Sequence, residues 1–330
     1  MKSKIVRAAL AAVIALAVVA ILAVGLSWLV YGRSLRASLY ELSLRRRFAT
    51  KRTAQTETER LEKLRGEPEK LSAPPSNLRA DTELAQFERE GMTVYALNGH
   101  AGGDAVVLYL HGGAYINSFN AYQWQLMERV ARGADCLAIA PAYHLAPWAD
   151  YRRAYDDLFA LYGEIQAAKP DARLILMGDS AGGGLALGLA EYLAQRGAVM
   201  PERLILFSPW VDVSMDNPDI GPLVRVEPML HLDLTIVHGR FWAGGADTHH
   251  WMVSPLYGDM AGLPPVKIYC GTRELLYPDI LLARDRLAGA GVDVSLTVGR
   301  GLNHDYPLMP IPEADRAVAE VIALVRGSGA

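Results

Sequence analysis

Cysteine is almost absent from this chain of 330 residues: there are two, Cys136 and Cys270. Each sits in a short apolar run ("CLAIA", "VKIYC"), which reads as a buried free thiol rather than half of a bridge or part of a metal site. Metal-ligand spacing is missing as well. No Cys/His cluster occurs, and His249–His250 is a bare pair, so the sequence asks for no metal and no cofactor. An excess of either charge is also missing. With 33 basic and 36 acidic residues the formal net charge is −3, which gives no whole-chain case for a nucleic-acid partner. Internal repeats are absent too. What remains, 51% hydrophobic and 21% charged, is ample material for a large ordered core.

One long hydrophobic run is present. Lys2, Lys4 and Arg7 precede an uncharged apolar stretch from Ala8 to Tyr31. That exceeds the roughly 18 residues that mark a membrane-spanning candidate. A cleaved signal peptide is the competing reading, with a usual apolar core of about 7–15 residues. Residues 1–32 are therefore expected to form an N-terminal transmembrane helix, a single-pass anchor. Arg33, Arg36, Arg45, Arg46, Arg47, Lys51 and Arg52 follow it, and by the positive-inside rule they place the rest of the chain in the cytoplasm.

Residues 33–90 are expected to be a helical juxtamembrane or cap segment. Their first half is rich in Arg, Glu and Leu, with a basic start suited to anionic lipid headgroups, and "SAPPSN" breaks the helix. From residue 91 onward short apolar runs alternate with helical patterns. The strand candidates are "MTVYAL", "AVVLYLH", "CLAIAPAY", "RLILMG", "RLILFS", "VKIYCG" and "VSLTVG". Several are continuously apolar, as strands covered on both faces are. Helical patterns over 122–132, 151–168, 184–196 and 278–290 separate them. This predicts an α/β fold with a mostly parallel sheet flanked by helices. An excursion over about 211–265, with an amphipathic stretch near Leu223–Trp242, is too long for a bare loop and is expected to be a helical cap insertion.

The chemistry centres on "RLILMGDSAGGGLALGLAEYL". Gly178-Asp179-Ser180-Ala181-Gly182 fits Gly-x-Ser-x-Gly between a strand and a helix, the setting of a nucleophile elbow. A neutral serine needs a base, and the base needs an acid to orient it. Of the histidines after Ser180, His304 follows the last strand candidate, whereas His231 and His238 fall in the insertion. Glu274, just past "VKIYCG", is the expected acid. Asp279 is its rival, with helix capping as its alternative role. Asp305 is next to the base, but consecutive side chains diverge, so it is not expected to orient it. In "LYLHGGAY", Gly112 and Gly113 offer backbone N–H groups to an oxyanion, with Ala181 as a third donor. His111 is read as structural.

These residues resemble the hormone-sensitive-lipase family of α/β-hydrolases, which includes microbial esterases and arylacetamide deacetylases. The matches are "HGGAY", "PAYHLAPWADYRRAYDD", "GDSAGGGLA", "LFSPWVDVS", "GTRELLYPD" and "NHDY", in family order from about Val94 onward. The resemblance implies a serine carboxylesterase acting on small-molecule acyl esters through an acyl-enzyme. It assigns Ser180 as nucleophile, His304 as base, Glu274 at the acid position, and Gly112, Gly113 and Ala181 as oxyanion donors. An amidase or deacetylase using the same triad, and a non-catalytic binding protein on the same fold, are the alternatives. Homodimerisation is left open. Three positions depart from the family pattern. Ala114 replaces the third glycine of the loop, Glu274 stands where the family generally has Asp and the acidic pair that usually follows reads Pro278-Asp279, and the family's His-Gly-Phe reads His304-Asp305-Tyr306.

Overall fold

The computed structural model describes residues 82–327 without interruption, together with 24–48, 56–67, 73–75, residue 78 and isolated positions between 10 and 22. The strands are β1 (Leu84–Arg89), β2 (Met92–Leu97), β3 (Ala105–Leu110), β4 (Leu137–Pro141), β5 (Arg173–Asp179), β6 (Arg203–Phe207), β7 (Val266–Gly271) and β8 (Val294–Gly299). The helices are α1 (Leu35–Phe48), α2 (Glu57–Arg65), α3 (Ala121–Ala134), α4 (Tyr151–Ala168), α5 (Ser180–Gln195), α6 (Leu232–Ala243), α7 (Tyr277–Gly289) and α8 (Pro312–Val325).

The strands form one eight-stranded sheet in the order β1-β2-β4-β3-β5-β6-β7-β8. The pairings β1–β2 and β2–β4 are antiparallel and the remaining five are parallel. All seven strand candidates are present. The continuously apolar ones are the buried centre: every residue of β3 is inaccessible, because helices cover both faces. On one face α4, α5 and α7 bring Leu158, Leu185, Leu189 and Ile280 against Leu108, Leu176 and Leu206. On the other, α3 and α8 bring Trp124, Met127, Val318 and Val321 against Val107, Ile175 and Ile205.

The N-terminal expectation is corrected. Among the described residues no helix is long and apolar enough to cross a membrane. Part of the apolar run lies outside the described residues. Its end is a π-helical turn, Ser27–Tyr31, closed by Gly32 in the left-handed region. Two of the basic residues that follow, Arg33 and Arg45, do not act as free flanking charges. Arg33 is buried, where its guanidinium pairs with Glu41 and donates to the Gly301 carbonyl at 2.5 Å. Arg45 pairs with Glu41 and donates to the Val226 carbonyl. Ser34 caps this corner through N–H and hydroxyl bonds to Glu313 of α8. Helix α1 thus packs on the catalytic fold, with Ala37 and Leu44 in its core. A single-pass anchor, and the orientation derived from it, are not supported.

The segment read as helical also contains β1. The insertion consists of a 3-10 stretch (Pro218–Arg225), α6 and a short 3-10 turn (Pro255–Tyr257). Helix α2 packs on α6: Leu64 joins Val237 and Phe241, Arg240 pairs with Glu57, and Arg60 donates to His238 Nε2 at 3.3 Å. Burial, reinforced by Arg60, pushes the His238 imidazole down to about 3, so it is neutral.

Candidate active site

Strand β5 passes directly into α5 at Asp179–Ser180, and Ser180 has φ +51°. A non-glycine residue in the left-handed region is strained, and such strain persists only where the surroundings enforce it. Here the turn is enforced by close backbone packing. A Cβ on Gly182 would lie 2.1 Å from the Leu110 carbonyl oxygen, so the glycine lets α5 begin against the end of β3. The Trp210 N–H also donates to the Ser180 carbonyl at 2.8 Å, holding the turn from the β6 side.

The three expected catalytic side chains meet. Ser180 Oγ is 2.9 Å from His304 Nε2, and His304 Nδ1 is 2.7 Å from Glu274 Oε2. Glu274 is supplied by the loop after β7 and His304 by the loop after β8, so parallel neighbours deliver both at one sheet edge. Glu274 Oε1 accepts from the Gly271 N–H at 2.6 Å and the Ser208 hydroxyl at 3.0 Å. That fixes the carboxylate so that Oε2 faces the ring, and an ionised Glu274 requires the neutral histidine to carry its proton on Nδ1. The rival Asp279 is elsewhere. It accepts from Asn217 Nδ2 at 2.6 Å and lines a cavity of about 920 Å³ beside α7 that contains none of the three. Nor does Asp279 cap α7.

The glycine loop is placed differently from its expected use. The Gly112 N–H donates to Asp179 Oδ1 at 2.9 Å, so it is already engaged. A Cβ at Gly112 would sit 2.3 Å from Asp179 Oδ2, which is why glycine is needed there. Tyr109 donates to Asp179 Oδ1, and Gln123 Nε2 donates to Oδ2 at 2.8 Å. Beyond this anchor the chain turns through Gly113, Ala114 and Tyr115, all with positive φ. The N–H groups of Gly113 and Ala114 have no acceptor among the described residues. The Ala181 N–H, in the first turn of α5, has no intrahelical acceptor. Tyr115 stacks on Trp242 of α6 with ring centroids 4.0 Å apart, so the loop rests on the insertion. His111 is structural. Its ring lies against Tyr143 and Phe119, and burial holds it down to about 4, hence neutral.

A family model described as the alpha/beta hydrolase fold matches residues 107–308, from β3 through the histidine loop. The chain belongs to the α/β-hydrolase family. It is 30% identical to an acetyl-hydrolase of Streptomyces hygroscopicus, over 67% of this chain and 75% of that one. It is 32% identical to an ethyl acetate hydrolase of Pseudomonas putida, over 66% of this chain and 71% of the other. A solved esterase of the bacterial hormone-sensitive lipase family superposes with a TM-score of 0.78 at 26% identity, covering 90% of this chain and 99% of that one. The hormone-sensitive-lipase resemblance read from the motifs holds.

Acidic groups dominate the electrostatics of this hydrolase site. Four carboxyl groups, Asp179, Glu227, Glu274 and Asp305, act on one imidazole. Burial alone would lower the His304 pKa, but Asp305, Glu274 and Glu227 outweigh it and push it up to about 10. Burial drives Asp305 well above the ordinary carboxylate range and Glu227 up to about 7. Glu227 comes from the insertion. Its Oε1 accepts from the Met229 and Leu230 N–H groups and its Oε2 from the Leu275 N–H, beside Glu274. Sequence reading missed Ser208, Glu227, Asp179 and Gln123. Ser208 and Asp179 were visible only as letters of the "LFSPW" and "GDSAG" motifs, and nothing in the sequence marked the other two. The bare His249–His250 pair also acquires company: His249 Nε2 lies 3.0 Å from Asp216, forming an exposed ion pair.

Proposed function

We propose that this hydrolase is a serine carboxylesterase that cleaves short- to medium-chain carboxylic esters through an acyl-enzyme. The observation that carries this is the unbroken chain Ser180 Oγ–His304–Glu274, with contacts of 2.9 and 2.7 Å. Ser180 attacks the ester carbonyl as His304 Nε2 takes its proton. Glu274 holds the Nδ1–H and stabilises the imidazolium. The free N–H groups of Gly113, Ala114 and Ala181 receive the oxyanion, while Gly112 keeps the loop in register through Asp179. His304 then protonates the leaving alcohol, and water repeats the sequence to release the acid. The names of the two relatives, an acetyl-hydrolase and an ethyl acetate hydrolase, support a short acyl group. The packing of α2 on α6, next to Ile116 of the glycine loop, supports these two helices as the cap over the ester.

Replacing Ser180 with alanine tests the proposal. Hydrolysis of p-nitrophenyl acetate and butyrate should fall by about 10⁴-fold or more, and fluorophosphonate labelling should vanish. Turnover within tenfold of the unaltered enzyme would overturn it.

A further inference from the structure

Asp305 was expected to point away from the base, and it does not. Its Oδ2 lies 3.2 Å from His304 Nε2, the nitrogen that also faces Ser180 Oγ. The backbone explains how neighbours in sequence come to meet. Asp305 has φ +54°, a left-handed conformation that turns its side chain back over the preceding ring. This is the position where the resembling family carries glycine, which adopts such a conformation without a Cβ penalty. The Asp305 N–H donates to Ser208 Oγ at 3.0 Å, and the Ser208 hydroxyl donates to Glu274. One serine thus pins Asp305 to the acid of the triad. The carboxyl is buried, and its Oδ1 has no hydrogen-bond partner in the structure. A strained residue with an unsatisfied buried carboxyl, in contact with the reacting nitrogen, is the kind of local cost that accompanies a functional role.

We propose that Asp305 is a second catalytic acid of this site, which shares one proton with His304 Nε2 in the resting enzyme. This rests on the esterase reading above. The shared proton is in addition to the one on Nδ1 that faces Glu274. It resides either on the Asp305 carboxyl, beside the Nε2 lone pair, or on Nε2, beside the Asp305 carboxylate. With the proton on Nε2, the lone pair that must accept the Ser180 proton is occupied; with it on Asp305, the carboxyl is neutral and does not stabilise the imidazolium that forms. Loss of one proton to solvent leaves an Asp305 carboxylate beside a neutral imidazole, and only that form is fully active. When Ser180 attacks, its proton moves to Nε2, and the new imidazolium lies against the Asp305 carboxylate. Asp305 therefore suppresses activity on the acid side and stabilises the charged transition state on the alkaline side.

The acidic groups facing the pair all act in one direction. Glu274 lies at Nδ1, Glu227 comes from the insertion, Asp179 from the end of β5, and the neutral Tyr109 hydroxyl from β3. Among the described residues no lysine or arginine pairs with Asp305 or His304. A proton held between two such groups leaves with an apparent pKa belonging to the pair, above that of a histidine with Glu274 alone.

The test is the pH profile of kcat/KM for p-nitrophenyl acetate in the unaltered enzyme, Asp305→Asn and Asp305→Gly. The acid limb of the unaltered enzyme should lie at alkaline pH. In both variants it should move down by about two pH units, toward the ordinary histidine range, with a plateau several-fold lower. A limb that stays within 0.3 unit would overturn the inference, as would a fall in rate at all pH values with no shift. The unaltered enzyme alone also decides: a fluorophosphonate labelling rate whose limb already lies near pH 6.5 would overturn it. Failure of the esterase reading is separately visible, since Ser180→Ala would then keep its turnover wherever the limb lies.

Discussion

Two buried charge clusters of this hydrolase are balanced in opposite ways. Around Glu41 of α1, one carboxylate meets three guanidiniums, those of Arg33, Arg45 and Arg273. Burial alone would raise the Glu41 carboxyl, but these cations outweigh it and hold it below its ordinary value. Around His304, four carboxyl groups meet one imidazole, and Glu227 and Asp305 are raised instead. The first cluster pairs its carboxylate with cations, so it fastens one element to another. The second has more acids than cations, so it retains protons, and a site that retains protons can exchange them. Burial is shared by both; the sign of the surplus separates structural from chemical use.

The comparison is broken most severely at Glu274. Glu274→Gln presents an amide that no longer stabilises the imidazolium and that favours the wrong tautomer if its NH₂ turns to Nδ1. Esterase kcat should fall by about 10⁴-fold, with the thermal transition little changed. A fall below tenfold would mean that another carboxyl of the cluster serves as the acid. Next in size is Glu41→Ala, which leaves three buried or half-buried cations without their shared anion. Breaking a buried pair by removing one partner costs about 3–5 kcal/mol, so the melting temperature should drop by about 6 °C or more. The kcat of the folded variant should be unchanged. A loss of kcat with no loss of stability would show that α1 belongs to the catalytic machinery and not to its fastening.

Much of this was legible in the sequence because the sheet centre and the elbow obey strong local rules. A continuously apolar run such as "RLILMG" has one economical place, a strand covered on both faces. Serine between glycines at a strand-to-helix junction has one common use. Strand β1 was not legible, since "LAQFER" is an edge strand exposed along most of its length and carries no alternation to read. The glycine loop was half legible. A glycine that frees an N–H and a glycine that lets a carboxylate approach look the same in sequence. Only the 2.9 Å bond from Gly112 to Asp179 tells which is which. The contact of Asp305 with Nε2 was not legible because the divergence of consecutive side chains assumes ordinary φ, and no residue pattern announces φ +54° at an aspartate. Two of the basic residues after the apolar run, Arg33 and Arg45, were misread for a related reason. Positive charge near a hydrophobic stretch is a topological signal only where it remains free, and Arg33 and Arg45 are bound to Glu41.

The smallest expected effect is the sharpest test of the sign rule, because Glu41 and Glu227 should respond to pH in opposite senses. Glu41 has a folded-state pKa below its unfolded value. Its stabilisation is present above the unfolded carboxylate pKa and is lost as pH falls through the lower, folded one. Glu227 has a folded-state pKa of about 7, above its unfolded value. The folded state therefore binds the extra proton, and the Glu227 contribution turns unfavourable as pH rises from about 4.5 to about 7, by an amount on the order of 2–3 kcal/mol. Glu227→Gln removes this titration while keeping an oxygen for the Met229 and Leu230 N–H groups. At pH 5 the variant should be no more stable than the unaltered enzyme, because its amide cannot accept from Leu275 as well. By pH 8 the difference should have moved in favour of the variant by several degrees in melting temperature. A difference independent of pH would mean that Glu227 is ionised throughout, and that the acids around His304 are balanced by charge in the same way as Glu41.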